Sequence, residues 1–512
     1  MKKRASISLI ANLVSCVITL GINFILTPYY TRVLGDEAYG YVGLANSFIT
    51  YASIVTIAFN AMAQRFVTVS YHQKKYKEMN TYFWSVFISD VLLSAVIVLL
   101  GVGFAFNLEH FFSVPERLLI DVKWTFFIAI LNFALSTALS VYSIAYFTRE
   151  RVEIAGVLTI AANFGKLAAL IPLLYFFVPK ISYIAIGGLV YNAVLYIGYL
   201  TITKKLLPEV HFQREYVQKK AVFTMLKYGI WSSLTRVSGI LLNGLDLLIA
   251  KIAISGSAMG ILSVSKVLIQ AFDAIYAAIA SVFHPRLTRL YAENNISDLI
   301  LTSKRFSRYI TLLLAVPSAG IIAYGDFFYR LWMPYRPEAE IYLLYQLTAL
   351  RLIASIANFM VEGILPLPNI YAHVKVPTII SLANGAFTVS TIFLCLKVTN
   401  WGIYALAGIG SLFGIVTSLV VQPIYVAHVM NLNKVIFIPM LIKNLSIILG
   451  IVALFLGMRY VIPAPKGWMD FLILIFAASV LGYSAEALLG TTKDERKKGC
   501  EALRNFIRKK KK

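Results

Sequence analysis

The sequence predicts an all-α integral membrane protein with 14 transmembrane helices, built as two six-helix lobes related by a pseudo-two-fold repeat plus two extra C-terminal helices. Composition predicts the class: 59% of the residues are hydrophobic, 14% are charged, and the mean hydropathy is +0.76. Fourteen apolar runs predict the helix count, beginning near residues 6, 40, 81, 123, 153, 182, 226, 258, 305, 340, 377, 401, 436 and 468. Each approaches the roughly 20 residues that cross a hydrocarbon core. A repeat predicts the two lobes. Slid by 220 positions, Ala38 and Gly40 fall on Ala258 and Gly260, and Asn46, Thr50 and Ser53 fall on Lys266, Gln270 and Asp273. Polar meets polar at i, i+4 and i+7 in otherwise apolar helices, and Asn23 likewise lands on Asn243.

Charge orients the helices. Alternate connections, together with both termini, hold 33 Lys and Arg, against ten in the opposite connections. Positive residues collect on the cytoplasmic side, so both termini of this multi-pass protein are expected in the cytoplasm. The net charge of +23 is therefore mostly topology. Nucleic acid is not an expected partner, because a nucleic-acid surface gathers its basic residues on one soluble face.

In order, the chain opens with MKKRASISLIANLVSCVITLGINFIL, which imitates a secretion signal and carries a lipobox-like LVSC ending at Cys16. Its apolar run passes well beyond Cys16, so it is read as the first span. Ser8, Asn12, Ser15, Thr19 and Asn23 line one face of it. Gly35 and Asp36 make an external turn with Asp36 as a cap for the second helix, and Tyr29, Tyr30, Tyr39 and Tyr41 suit the headgroup level. Helices one to six form an N-lobe over 1–204, a charged cytoplasmic linker covers 205–221, and helices seven to twelve form a C-lobe over 222–430. Helices thirteen and fourteen (431–490) have no counterpart in the repeat. A basic tail (491–512) is expected in the cytoplasm against anionic lipid, with each charge near the surface worth about 1 kcal/mol.

The chemistry is sought among intramembrane polar residues. Asp90, Lys166, Arg236, Asp246, Lys266, Asp273, Arg351 and Glu362 would together cost roughly 20 kcal/mol or more against lipid. They are therefore expected to face a protein or water interior. Spacing agrees: Arg351, Ser355, Asn358 and Glu362 share a helix face, as do Lys266, Gln270 and Asp273. Ser232, Arg236 and Asn243 make a looser stripe, and Asn163 with Lys166 a short one. The competing reading is structural, with Asp246 and Asp273 pairing with Arg236 and Lys266 as locks between helices.

Several classes lack their signatures. There is no GxxxxGK[ST] run for a nucleotide engine and no HExxH spacing for zinc, so no cofactor, metal or catalytic residue is expected. The three cysteines imply no disulfide framework. A secondary transporter or a flippase remains.

TRVLGDEAYGYVGLANSF, with ASIVTIAFNAMAQRF behind it, resembles the start of bacterial polysaccharide (O-antigen, Wzx-type) flippases. LLNGLDLLIAKIAISGSAMGILSVSK resembles that family's seventh and eighth helices, and LWMPYRPEAEIY its external loop before helix ten. The resemblance implies the multidrug/oligosaccharidyl-lipid/polysaccharide exporter fold, in which two six-helix lobes enclose a cavity opening alternately to either side. It also implies an undecaprenyl diphosphate-linked oligosaccharide as cargo, with polysaccharide assembly proteins and membrane lipids as partners. Lys166, Arg236, Lys266 and Arg351 suit the diphosphate, Asn243 and Gln270 the sugar hydroxyls, and Asp246, Asp273 and Asp90 are candidates for ion coupling. Four acids beside four bases leave open a cation-coupled multidrug exporter of the same superfamily and, more distantly, a membrane glycosyltransferase or ligase.

Overall fold

A chain crossing a bilayer satisfies its backbone by pairing amides and carbonyls within each segment, which restricts it to helices or closed barrels. A computed structural model of the protein describes residues 2–149, 151–371, 373 and 375–489, and every regular element among them is helical. The side chains of Ser8, Ser232 and Asn243, and the whole basic tail, lie outside the described residues. The long helices are α1 (Lys2–Leu34), α2 (Asp36–His72), α3 (Tyr76–Phe106), α4 (Glu116–Ala138), α5 (Glu153–Phe176), α6 (Ile181–Leu206) and α7 (Lys219–Asn243). They continue with α8 (Gly256–Ala292), α9 (Ile296–Trp332), α10 (Glu338–Val361), α11 (Lys375–Val398), α12 (Ile403–Val429), α13 (Ile438–Val461) and α14 (Trp468–Leu489). A π-helical turn, Thr417–Val421, interrupts α12.

Among the described residues, 13 of these helices have the length and apolarity to cross a membrane. The helix α7 carries Lys219, Lys220, Lys227 and Arg236. Leu99, Leu100, Tyr175 and Phe176 are each at least 70% exposed. Leaving such side chains in water forgoes about 1.5–3 kcal/mol apiece. These faces meet lipid, and the protein is a multi-pass membrane protein.

The chain packs as two compact units, Met1–Ala278 with Val374–Gly410, and Ile279–His373 with Ser411–Lys512. In the first unit α2 packs on α7, α3 and α4, while α1 lies on α5, α5 and α4 on α6, and α11 on α7. Packing therefore draws α11 to helices of the first half, a grouping distinct from the lobes read from the repeat.

One residue, Gly35, separates α1 from α2 at φ 86, a left-handed value that favours glycine. Gly35 occupies the N-cap position without a side-chain bond, so Asp36 is not the cap expected from sequence. Asp36 and Glu37 instead place their charges in the first turn, where the helix dipole favours them. One turn on, α2 crosses α8 at glycines. A Cβ on Gly40 would stand 2.9 Å from the Gly260 amide nitrogen, and one on Gly260 would stand 2.1 Å from the Asp36 carbonyl oxygen. Only glycine permits this approach. Lys251 seals it with an ion pair to Glu37 at 3.1 Å and lies over the Tyr41 ring.

The linker after α6 is strapped to α3. Asn80 donates to the Glu209 carbonyl at 2.9 Å and accepts from the His211 amide at 3.0 Å. Trp84 Nε1 donates to the His211 carbonyl at 2.8 Å. Ser85 donates to the Tyr216 carbonyl and accepts from the Gln218 amide, each at 3.0 Å. Beneath the strap, Ala63, Val67, Met79, Phe83, Ala221 and Met225 form one buried cluster joining α2, α3 and α7.

In the second unit α10, α13 and α14 all pack on α9. Asp326, 2% exposed, receives both Nη groups of Arg459 at 2.6 and 2.9 Å, joining α9 to α13. Tyr324 donates to the Phe455 carbonyl at 2.9 Å and Tyr483 to that of Leu313 at 3.0 Å. The two helices without a repeat counterpart are thereby fixed alongside α9.

Candidate substrate cavity

Three of the polar clusters among the described residues of the first unit hold sequence-predicted site residues. The first is a cavity of about 280 Å³ between α2, α8 and the short helix Asp246–Ala253. Tyr39, Asn46 and Thr50 line it from α2, spaced i, i+7 and i+11, and Ser263, Lys266 and Gln270 line it from α8, spaced i, i+3 and i+7. Both sets obey helical periodicity, so each helix contributes one face. Positions paired by the 220-residue offset, Asn46 with Lys266 and Thr50 with Gln270, thus look into one space.

Lys266 Nζ lies 2.6 Å from Asp246 Oδ1, with the lysine side chain 18% exposed and the aspartate 5%. Asp246 opens its helix and accepts from its own next amide, Leu247, at 2.9 Å, so the positive end of the helix helps hold its charge. Tyr51 closes the floor by donating to the Gly244 carbonyl at 2.6 Å. Sequence placed Asp273 beside Lys266. In the structure Lys266 turns to Asp246, because positions 266 and 273 on one helix stand about 10 Å apart along the axis. Tyr39, near the start of α2, also lines the cavity.

In the second cluster Asn163 donates to Thr19 Oγ1 at 2.8 Å and Lys166 to Asn23 Oδ1 at 3.4 Å. The stripe read on the first helix thus meets the one read on the fifth. In the third, Ser140 Oγ stands 2.8 Å from Asp90 Oδ2 and 2.9 Å from Asn60 Oδ1. Asp90 is fully buried, and its Oδ1 has no hydrogen-bond partner among the described residues.

Of the remaining candidates, Arg236 on α7 and Asp273 on α8 are exposed. Arg351 is half-buried on α10 in the second unit, where Ser418 also donates to Asn358 at 2.6 Å. Glu362, read from sequence as part of a stripe near the helix end, lies 2.9 Å from His284 Nε2. That pair, Lys251–Glu37 and Asp326–Arg459 escaped sequence reading, because partners 78, 214 and 133 residues apart share no local period.

Comparison with known proteins follows this geometry. Residues 8–291, more than half of the chain, match the family model described as polysaccharide biosynthesis protein. The chain is 25% identical over 446 residues to the uncharacterized membrane protein EpsK of Bacillus subtilis (strain 168), covering 86% of each. It shares its fold with the lipid II flippase MurJ in an inward closed conformation, at TM-score 0.64 and 13% identity over 94% of this chain and 97% of that one. It shares it also with an inward-facing multidrug resistance MATE family transporter of the MOP superfamily, at TM-score 0.61 and 13% identity over 83% of this chain and 99% of that one. The fold is that of flippases and transporters, as the resemblance implied. With its helical membrane fold and the match over residues 8–291, this chain belongs to the polysaccharide biosynthesis protein family.

Proposed function

We propose that this protein flips undecaprenyl diphosphate-linked oligosaccharide repeat units across the bacterial cytoplasmic membrane by alternating access, for surface polysaccharide biosynthesis. The observation that carries the reading is the polar cavity around Lys266, in a chain of the polysaccharide biosynthesis family. A diphosphate has the charge to draw Lys266 from Asp246, exchanging one charge-assisted hydrogen bond for another. Asp246 keeps the Leu247 amide when the lysine leaves, which lowers the cost of the exchange. Asn46, Thr50 and Gln270 offer amides and a hydroxyl to sugar. Lys166, Arg236 and Arg351 are proposed as further cations on the substrate's route, Asn243 as a sugar contact, and Asp90 and Asp273 as groups that couple an ion to the cycle.

The Gly40–Gly260 crossing and the Lys251–Glu37 pair close one end of α2 against α8. From the charge asymmetry we propose that this end is external, with both termini cytoplasmic and α7 as a fourteenth crossing, and from the repeat that its halves form lobes 1–204 and 222–430. The arrangement thus supports loading from the cytoplasmic leaflet. A cation-coupled multidrug exporter would need an acid open to an organic cation; Asp246 is engaged by Lys266, which leaves the exposed Asp273 for that reading.

Mass spectrometry of lipid-linked sugars in a deletion strain tests the reading. The expected result is build-up of one complete lipid-linked repeat unit on the cytoplasmic face. An unchanged pool of lipid-linked sugar, with surface polysaccharide intact, overturns it.

A further inference from the structure

Outside the polar clusters, a cavity of about 730 Å³ lies where the turn between α2 and α3 meets the start of α7. Lys74, Lys75, Lys77 and Lys220 line it with Tyr76 and Tyr82. Its one carboxylate is Glu78, 4.0 Å from Lys75 and within 3.5 Å of the Tyr82 hydroxyl. Among the described residues no ion pair engages Lys74, Lys77 or Lys220, so the four lysines of the lining outnumber its one carboxylate.

Two further observations point to the occupant. α3 and α7 both begin here, and neither start carries a side-chain cap, so amides at the positive ends of two helices are left for an anion. Below the pocket, Phe223 and Ile230 are 70% and 54% exposed. With Lys220 and Lys227 they share one face of α7. Lysines that reach toward the surface above outward-facing apolar side chains match an amphiphile, whose phosphate sits above its chains. The buried cluster joining α2, α3 and α7 gives the pocket a firm wall.

We propose that this pocket binds the headgroup phosphate of an anionic bilayer phospholipid, whose acyl chains lie along Phe223 and Ile230. The bound lipid joins the α2–α3 turn to the start of α7. The inference is independent of the cargo, since none of these residues lines the cavity around Lys266.

Native mass spectrometry of the full-length protein, titrated with phosphatidylglycerol against a phosphatidylcholine background, tests it. The wild type should retain phosphatidylglycerol selectively. The Lys74→Gln/Lys77→Gln/Lys220→Gln variant should bind it about a hundredfold more weakly, and Lys204→Gln/Lys205→Gln, which alters neighbouring charges outside the pocket, should bind as the wild type does. Phe223→Ser keeps every charge; it should weaken phosphatidylglycerol binding and leave glycerol phosphate binding unchanged. If the triple variant does not fold, Lys220→Gln alone with Phe223→Ser carries the same comparison. Equal retention by the wild type and the Lys74→Gln/Lys77→Gln/Lys220→Gln variant overturns the proposal. So does glycerol phosphate binding as tight as that of phosphatidylglycerol, which would mark a site for a soluble phosphate.

Discussion

Replacing Lys266 by Ala separates a binding cation from a structural lock. The ion pair is short and largely dry, at 2.6 Å with the aspartate 5% exposed. Removing one partner strands a buried carboxylate, which costs about 3–5 kcal/mol. The companion change Asp246→Asn removes that stranded charge, so the double variant should regain most of the loss, and the coupling energy in the cycle measures the pair. Thermal unfolding of the purified protein and its level in the membrane report this first quantity. Transport is the second, read as lipid-linked sugar that accumulates in cells. If Lys266 holds the diphosphate, the refolded double variant still lacks a charge-assisted hydrogen bond worth about 1.5–3 kcal/mol, roughly a ten- to hundredfold loss of transport. A double variant that is stable and transports normally refutes the binding role. A Lys266→Ala protein as stable as wild type refutes the energetic weight given to the pair.

Three other outcomes are expected. Glu37→Cys with Lys251→Cys, joined by a short bismaleimide, should hold the start of α2 against the short helix that leads into α8 and stop transport, and full transport by a verified crosslinked protein refutes the idea that these elements separate; Gly260 is unsuited to this test, because any Cβ there meets the Asp36 carbonyl at 2.1 Å. Asp326→Asn should destabilise the second unit by about 3 kcal/mol in thermal unfolding, with Asp326→Leu/Arg459→Met recovering much of it; an unchanged unfolding temperature for Asp326→Asn refutes the weight given to this pair. Reporter fusions after Lys77, Lys220 and Arg289 should read cytoplasmic and fusions after Glu109, Tyr335 and Lys466 external, with Tyr335 chosen because α9 runs past Asp326 to Trp332; a cytoplasmic reading at Glu109 refutes the orientation.

Hydropathy was sufficient to locate the helices, because a bilayer leaves a long apolar run one way to fold. The polar stripes were legible for a related reason: charges too costly for lipid must share an inward face, and those of α1 and α5 do meet at Asn163 and Lys166. Periodicity names the face of a helix but not the helix opposite. Asp246 was therefore recognised as buried and charged, while its partnership with Lys266 across a break between helices was not. The break itself, Gly244 and Leu245 before a new helix start, was hidden inside a continuous apolar stretch.

The strap between the linker and α3 bears on the order of synthesis. Asn80, Trp84 and Ser85 enter the membrane with α3, yet the carbonyls and amides that satisfy them lie 127 to 133 residues later in the chain. At ordinary rates of translation that interval lasts about ten seconds. Through it α4, α5 and α6 must insert while the start of α3 relies on water or neighbouring headgroups for its hydrogen bonds. The start of α3 thus completes its polar contacts only with residues 209–218. A chain cut before that segment leaves the start of α3 without them, whereas one cut just after it leaves the strap whole.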